Sequence, residues 1–321
     1  MKIVRHLDTY RCPFRHPVVS LGNFDGMHLG HWAILTRLVE EARAREGEAL
    51  VITFFPHPLT ILQPGKAPPL ILGLREKLLL FADLGIDGVV LQRFTLPFSC
   101  LSAQEFVRRY LVDLIGAEKI IVGHNVGFGR GRSGHVQTLQ ELAPRYNFTI
   151  EVIGPVMVGG TEVSSTTVRS LLVAGRMEEV SHLLGRYYAI EGRVEPGHRR
   201  GKGLGFPTAN VRPPMDLLIP DGVYAVFAQV GAGREQAGRL KGVANIGTNP
   251  TFGGTRRTLE VYLFDFAMDL YGRRMRVAFV NRLRGEVKFP SPEALVRQIE
   301  QDVDRAHEAP AQADTGDKQL H

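Results

Sequence analysis

Short runs of β-branched and aliphatic residues recur through the first half of the chain about every 30 residues, the spacing of strand–helix–strand units. They are Val18-Val19-Ser20-Leu21, Leu50-Val51-Ile52-Thr53-Phe54, Val89-Val90-Leu91, Ile120-Ile121-Val122 and Ile150-Glu151-Val152-Ile153. The runs are continuous rather than alternating, which predicts strands covered on both faces, as in a parallel sheet. Between them Ile34, Leu35, Leu38, Val39 and Ala42 fall at helical spacing within 32–45, and 74–82 and 137–145 also read as helices. Ser102 and Glu105 form a capping box that opens a further helix through Ile115. Such a pattern specifies a doubly wound α/β domain, with its ligand at the carboxyl ends of the strands.

The texture changes after Gly185. Glycine and proline now punctuate short alternating strands, predicted at 188–194, 223–230, 240–246, 259–266 and 274–283, which argues a small antiparallel barrel or sandwich. A C-terminal helix follows, with Ser291 as N-cap, Pro292 at its first position and an apolar stripe through Leu295, Ile299 and Val303. The polar stretch 309–321 has no periodicity and is expected to be disordered. The predicted organisation is therefore a domain over 1–185, a second over 186–308, and a tail.

A length of 321 residues suits two domains, and 44% hydrophobic residues are enough for two cores. Lys and Arg number 39 against 33 Asp and Glu, a net +6 spread along the chain. That balance favours small anions such as nucleotides over nucleic acid, with Arg199-Arg200-Gly201-Lys202 as the densest cluster. Cys12 and Cys100 cannot build a disulfide framework, so a reducing compartment is expected. The N-terminus lacks the apolar core of a secretory signal, and no stretch is long enough to span a membrane. A soluble cytoplasmic protein with no membrane partner is the expectation, as a monomer or a homo-oligomer.

The segment Gly22-Asn23-Phe24-Asp25-Gly26-Met27-His28-Leu29-Gly30-His31 follows the first strand and precedes the first helix, where a phosphate-binding loop belongs. His28 and His31 are three apart and share a face of an opening helical turn. Two imidazoles there can donate hydrogen bonds to a phosphate whose charge grows in the transition state. Core histidines, surface histidines or a pair of metal ligands are the alternatives, although no nearby Cys or carboxylate triad supports zinc. Ser164-Ser165-Thr166-Thr167-Val168-Arg169 places hydroxyls at a helix start, which suits phosphates or plain capping.

In the second half, Thr208 and Asn210 alternate on a strand and project to one face, where two neutral oxygens can hold Mg²⁺ beside phosphates. A glycine-rich turn with Thr and Asn is also common in β-proteins. Glu260 interrupts the apolar strand 259–264 on the face shared with Tyr262 and Phe264; a carboxylate there has a partner or a task. Its alternatives are an edge position facing water, or an ion pair with Arg257. The segment Asn245-Ile246-Gly247-Thr248-Asn249-Pro250-Thr251 reads as a turn or as a ligand loop.

His28-Leu29-Gly30-His31 resembles the H-x-G-H signature of nucleotidyltransferases. In the fuller wording Gly-x-Phe-Asp-Gly-x-His-x-Gly-His the loop is similar to that of the bacterial bifunctional riboflavin kinase/FAD synthetase family. Phe54-Phe55-Pro56-His57-Pro58 is similar to that family's strand-end motif against the flavin. Val122 to Gly129 is similar to its glycine-rich segment, with Asn125 where many members carry Asp. The Ser-Ser-Thr segment and Gly203-Leu204-Gly205-Phe206-Pro207-Thr208-Ala209-Asn210 match further family motifs.

The resemblance implies ATP-dependent phosphorylation of riboflavin to FMN, then adenylylation of FMN to FAD with release of pyrophosphate. It implies riboflavin, FMN, FAD and ATP as partners, with Mg²⁺ as cofactor and ATP as co-substrate. For adenylyl transfer it implies ATP binding by Phe24, Gly26, His28, His31, Ser165, Thr166 and Arg169, and flavin binding by Pro56, Pro58, Asn125 and Phe128. For the kinase it implies Lys202, Gly205, Phe206, Thr208 and Asn210 around ATP, with Thr208 and Asn210 on the metal. Glu260 is implied as the kinase base, beside His28 and His31 as the other catalytic residues. A kinase joined to a lapsed adenylyltransferase half, which Asn125 keeps open, and a flavin-binding regulator without turnover are the alternatives.

Overall fold

In the computed structural model, which describes residues 1–5, 7, 14–197, 205–231, 239–251, 254–266 and 268–309, the continuous apolar runs form one parallel sheet. Its strands are β1 (Lys2–Arg5), β2 (Val18–Leu21), β3 (Ala49–Phe55), β4 (Gly88–Arg93), β5 (Lys119–Gly123) and β6 (Thr149–Ile153), in the order β1-β4-β3-β2-β5-β6. Every pairing is parallel. Neighbouring residues of one strand supply opposite cores: Val19 packs in one apolar cluster and Val18 in the other. This two-sided burial is why the runs are continuous. β1 was absent from the sequence-based expectation because, as an edge strand with three of its four residues exposed, it has no apolar run.

The helices are α1 (Leu29–Ala44), α2 (Pro58–Leu62), α3 (Leu74–Asp83), α4 (Leu96–Ser99), α5 (Ala103–Phe106) and α6 (Val136–Tyr146). α5 has the expected Ser102/Glu105 capping box but continues as a π-helix over Val107–Ile115. A small hairpin, β7 (Met157–Val158) and β8 (Thr161–Glu162), closes this part. β2 lies between β3 and β5, so the connections leaving it diverge and open a crevice at its carboxyl end.

Tertiary contacts divide the chain into units Met1–Ser164 and Ser165–His321. The second unit begins with α7 (Ser165–Ala174) and α8 (Met177–Leu184), two helices ahead of the texture change at Gly185. α8 packs on two barrel strands, β9 (Tyr188–Glu195) and β14 (Arg274–Arg284). With β10 (Thr208–Arg212), β11 (Gly222–Val230), β12 (Leu240–Thr251) and β13 (Gly254–Leu263) they form a closed antiparallel barrel, which decides between barrel and sandwich. The segment Asn245 to Thr251, read as a turn or ligand loop, is instead the second half of β12. Tyr224 fills the barrel interior against Phe279 and donates its hydroxyl to the Pro220 carbonyl at 2.6 Å, while burial pushes its pKa up to about 12.

The last helix, α9 (Pro292–Glu308), has Ser291 as N-cap and Pro292 in its first turn, as the sequence predicts. Its deepest residues are Asp302 and Ala306 rather than the stripe Leu295, Ile299 and Val303. Asp302 is 1% exposed because Arg284 reaches it with two nitrogens, Nε at 2.9 Å and Nη2 at 2.7 Å. Cys12, the Arg199 to Lys202 cluster and the tail from residue 310 lie outside the described residues. Removing one partner of a buried pair strands the other charge, so Asp302→Ala is expected to destabilise the barrel unit by about 3 kcal/mol. Urea unfolding followed by a barrel-specific probe measures it.

Candidate functional site

The sequence between β2 and α1 cannot close into a regular turn, because three residues need positive φ: Phe24 at 48°, Gly26 at 84° and Met27 at 44°. A side chain at Gly26 would also meet Ile71 at 3.1 Å. The loop is fastened from outside. The buried Asp25 carboxylate accepts the Ile71 N–H at 3.1 Å and the Leu72 N–H at 3.3 Å. Lys77 of α3 donates to the Asn23 carbonyl at 2.8 Å. Burial lowers the Lys77 pKa to about 8, against the opposing pull of the Asp25 charge.

Helix α1 begins three residues earlier than the stripe from Trp32 suggests, with His28 as its N-cap. His28 Nδ1 accepts the His31 N–H at 3.3 Å. A ring nitrogen that accepts carries no proton, so neutral His28 holds its proton on Nε2. The two rings stack with centroids 3.6 Å apart, and Phe24 meets the His31 ring edge-on at 5.2 Å. This pair sits at the carboxyl end of β2, in the crevice at the switch point.

The neighbouring strand ends contribute the other expected residues. Pro56 and Pro58 are half-buried after β3, beside the exposed Phe55. Asn125 follows β5 and is exposed. Phe128 is 6% exposed, packed on Phe106 with ring centroids 5.6 Å apart. Its ring lies against Gly134, its partner in a backbone bridge, where an added Cβ would meet it at 2.5 Å. Ser165 and Thr166 lie in the first turn of α7 and Arg169 at the start of its second, in the second unit.

On the barrel, register decides which residues meet. Asn210 of β10 lies directly opposite Glu260 of β13, and Glu260 directly opposite Asn245 of β12. Paired residues share a face, so the three form a row on the outside of the barrel while Leu259 and Val261 fill its interior. Thr208 is two pairs along on the same face, opposite Tyr262, against which Phe206 packs edge-on at 5.3 Å. The backbone at Gly197 passes so close to the Asn210 amide that any side chain there would collide with it. Gly205, with φ of 88°, stands at the turn before this strand, and Lys202 lies outside the described residues.

Arg257 and Glu260, three apart on a strand, project to opposite faces. Arg257 is held by Asp221 at 2.7 Å and by the Leu217 carbonyl at 2.7 Å. The sequence reading missed Asn23, Asp25, Lys77 and Asn245 as organisers of these sites. Lys77 was detectable: it is three residues before Leu80 on the buried face of α3, where a lysine is rare.

A family model for FAD synthetase matches residues 13–167, and one for riboflavin kinase matches residues 184–309. A bifunctional riboflavin kinase/FMN adenylyltransferase of Escherichia coli (strain K12) is 40% identical over 309 residues, 96% of this chain and 97% of that protein. The chain belongs to the bifunctional riboflavin kinase/FMN adenylyltransferase family. A family member from Pseudomonas fluorescens is 40% identical over 94% of this chain and 96% of its own. A solved structure described as a macrolide-efflux protein from Streptococcus pneumoniae superposes with a TM-score of 0.85 at 29% identity, covering 96% of this chain and 99% of that one. Among the described residues of the present family member, no helix is long and apolar enough to cross a membrane.

Lys77 gives a pH test of the loop fastening. Its folded value near 8 lies below the 10.5 of an ordinary lysine, so between those values the unfolded chain binds the extra proton. Stability must therefore rise with pH across that window, and a Lys77→Met chain lacks this contribution. The stability of the unsubstituted protein relative to Lys77→Met is expected to increase by about 3 kcal/mol from the lower to the upper end of the window. Urea unfolding of the first unit at several pH values measures this.

Proposed function

We propose that this chain phosphorylates riboflavin with ATP to give FMN and ADP, and then transfers AMP from a second ATP to FMN, giving FAD and pyrophosphate. The observation that carries the reading is that each compact unit presents its own constellation: stacked histidines at a sheet switch point, and a carboxylate flanked by amides on a barrel face. Adenylyl transfer is assigned to 1–185 and the kinase to 186–308. The family membership supports both activities and ATP as co-substrate.

In adenylyl transfer the FMN phosphate oxygen attacks the α-phosphorus of ATP and pyrophosphate leaves, so the protein needs no nucleophile of its own. His28, with its proton on Nε2, donates to a phosphate oxygen as charge builds there, and His31, stacked against it, is the second donor. Phe24 and Gly26 are assigned to ATP at the loop, and Pro56, Pro58, Asn125 and Phe128 to the flavin. Catalysis is positioning and charge neutralisation.

In the kinase, Glu260 accepts the proton of the ribityl hydroxyl that attacks the γ-phosphorus, and ADP leaves. The hydroxyl of Thr208 and the amide oxygen of Asn210 are hard, neutral donors on the face of Glu260, which fits Mg²⁺. When bound there, Mg²⁺ would neutralise phosphate charge. Lys202, Gly205 and Phe206 are assigned to the ATP side. Neither nucleic acid nor a membrane is a partner in this reading, monomer and homo-oligomer both fit it, and the cytoplasm, where ATP is supplied, is the proposed compartment.

Incubation of the purified chain with riboflavin, ATP and Mg²⁺, followed by chromatography, tests the reading: both FMN and FAD are expected, and formation of neither overturns it. His28→Ala or His31→Ala is expected to slow FAD formation about 100-fold, the usual worth of one transition-state donor, while FMN formation continues unchanged. Equal loss of both products would mark the histidines as structural. Glu260→Gln is expected to slow riboflavin phosphorylation about 100-fold. Supplied with FMN, the same variant should make FAD at the unsubstituted rate; unimpaired phosphorylation would remove Glu260 from the mechanism.

A further inference from the structure

The histidine loop and the proline-flanked turn after β3 are far apart in sequence, yet one side-chain contact joins them. Asn23 Nδ2 lies 3.4 Å from His57 Nε2. His57 is also the N-cap of α2, where its Nδ1 accepts the Leu59 N–H at 3.2 Å. Because Nδ1 accepts, the proton of the neutral ring is on Nε2. Two N–H groups cannot satisfy one another, so the contact becomes a hydrogen bond when the Asn23 amide makes a half-turn and presents its oxygen. Facing away from His57, the buried Asn23 Oδ1 has no hydrogen-bond partner among the described residues, and the half-turn gives that oxygen one while the amide NH2 takes its former place.

The backbone of Asn23 is held as well. Its carbonyl accepts from Lys77 Nζ at 2.8 Å and from Thr53 Oγ1 at 3.4 Å. Strand β3, helix α3 and the turn at Pro56 to Pro58 therefore all converge on one residue of the loop that carries His28 and His31. We propose that Asn23 and His57 are positioning residues for adenylyl transfer, joined by a hydrogen bond from His57 Nε2–H to Asn23 Oδ1 that fixes the histidine loop relative to the flavin-facing turn. Neither residue touches the reacting atoms. Transfer requires the attacking oxygen and the α-phosphorus to approach within about 3–3.5 Å in line, and a small misplacement between the two segments lowers turnover while leaving the binding surfaces present. The inference rests on the adenylyltransferase reading of the first unit.

Two substitutions separate this role from helix capping. His57→Asn keeps an acceptor near the Nδ1 position, so α2 stays capped, but it cannot reach Asn23. His57→Gln reaches to the Nε2 position with an N–H donor and gives up most of the cap. In the full chain, FAD formation from FMN and ATP is measured beside FMN formation from riboflavin, which reports folding in the same molecule. His57→Gln should keep the kcat for FAD within a few-fold, while His57→Asn and Asn23→Ala lose about 10- to 100-fold in kcat with little change in KM. All three should make FMN at the unsubstituted rate. Nitrogen-15 spectra of labelled histidine, recorded above the titration range of imidazole, should show His57 protonated on Nε2.

A fully active His57→Asn chain beside a crippled His57→Gln chain would reduce His57 to a cap and overturn the proposal. So would an Nδ1-protonated ring, or loss of FMN formation in parallel with FAD. An unsubstituted chain that makes no FAD would instead sink the adenylyltransferase reading, and the spectra would still decide the tautomer that the hydrogen bond requires.

Discussion

A loop that holds phosphate must leave its own N–H groups and small side chains open to the ligand, so it cannot be stabilised by regular hydrogen bonding within itself. In this protein the segment from Gly22 to His31, to which the proposed phosphate role falls, contains three positive-φ residues and is held by its surroundings. Asp25 ties it to the backbone at Ile71 and Leu72, Lys77 holds the Asn23 carbonyl, and His28 both starts α1 and stacks on His31. The charges concerned are buried, and the lowered pKa of Lys77 shows what that burial costs. The sheet supplies the location, since only at the switch point beside β2 do the connections part and leave room for a ligand.

The barrel solves a similar problem differently. Its interior is filled by apolar side chains such as Val211, Val226, Ile246, Leu259 and Val261, so polar chemistry is available only on the outside. Antiparallel pairing then acts as the positioning device, aligning Asn210, Glu260 and Asn245 across three strands. A slip of one residue would turn Glu260 into the core, and so the apolar alternation of β13 protects the register of the site as well as the fold. The buried pair of Arg284 and Asp302 fastens α9 to the end of β14.

Much of this was legible in the sequence. Continuous apolar runs gave the parallel strands, the capping box at Ser102 gave α5, and Ser291 with Pro292 gave the start of α9. The strand β1 was not legible, because edge pairing with β4 needs no apolar run. The burial of Phe128 was not legible either: a glycine-rich segment after a strand can turn its aromatic outward or inward, and here the ring packs on Phe106. Asp302 lies outside the apolar stripe of α9, and Arg284, 18 positions earlier in the chain, together with Gln298 makes its burial tolerable.

The sequence by itself determined the two fold classes, the order of the motifs and the identities of the chemically able side chains, because periodicity and turn residues act over a few positions. Tertiary structure decided which of those side chains meet. Whether Glu260 faces Asn210 or Arg257, whether His57 touches Asn23, and whether Lys77 is buried all depend on strand register and helix packing between distant segments. Such contacts are set by filling the cores as a whole, and no local pattern in the chain encodes them.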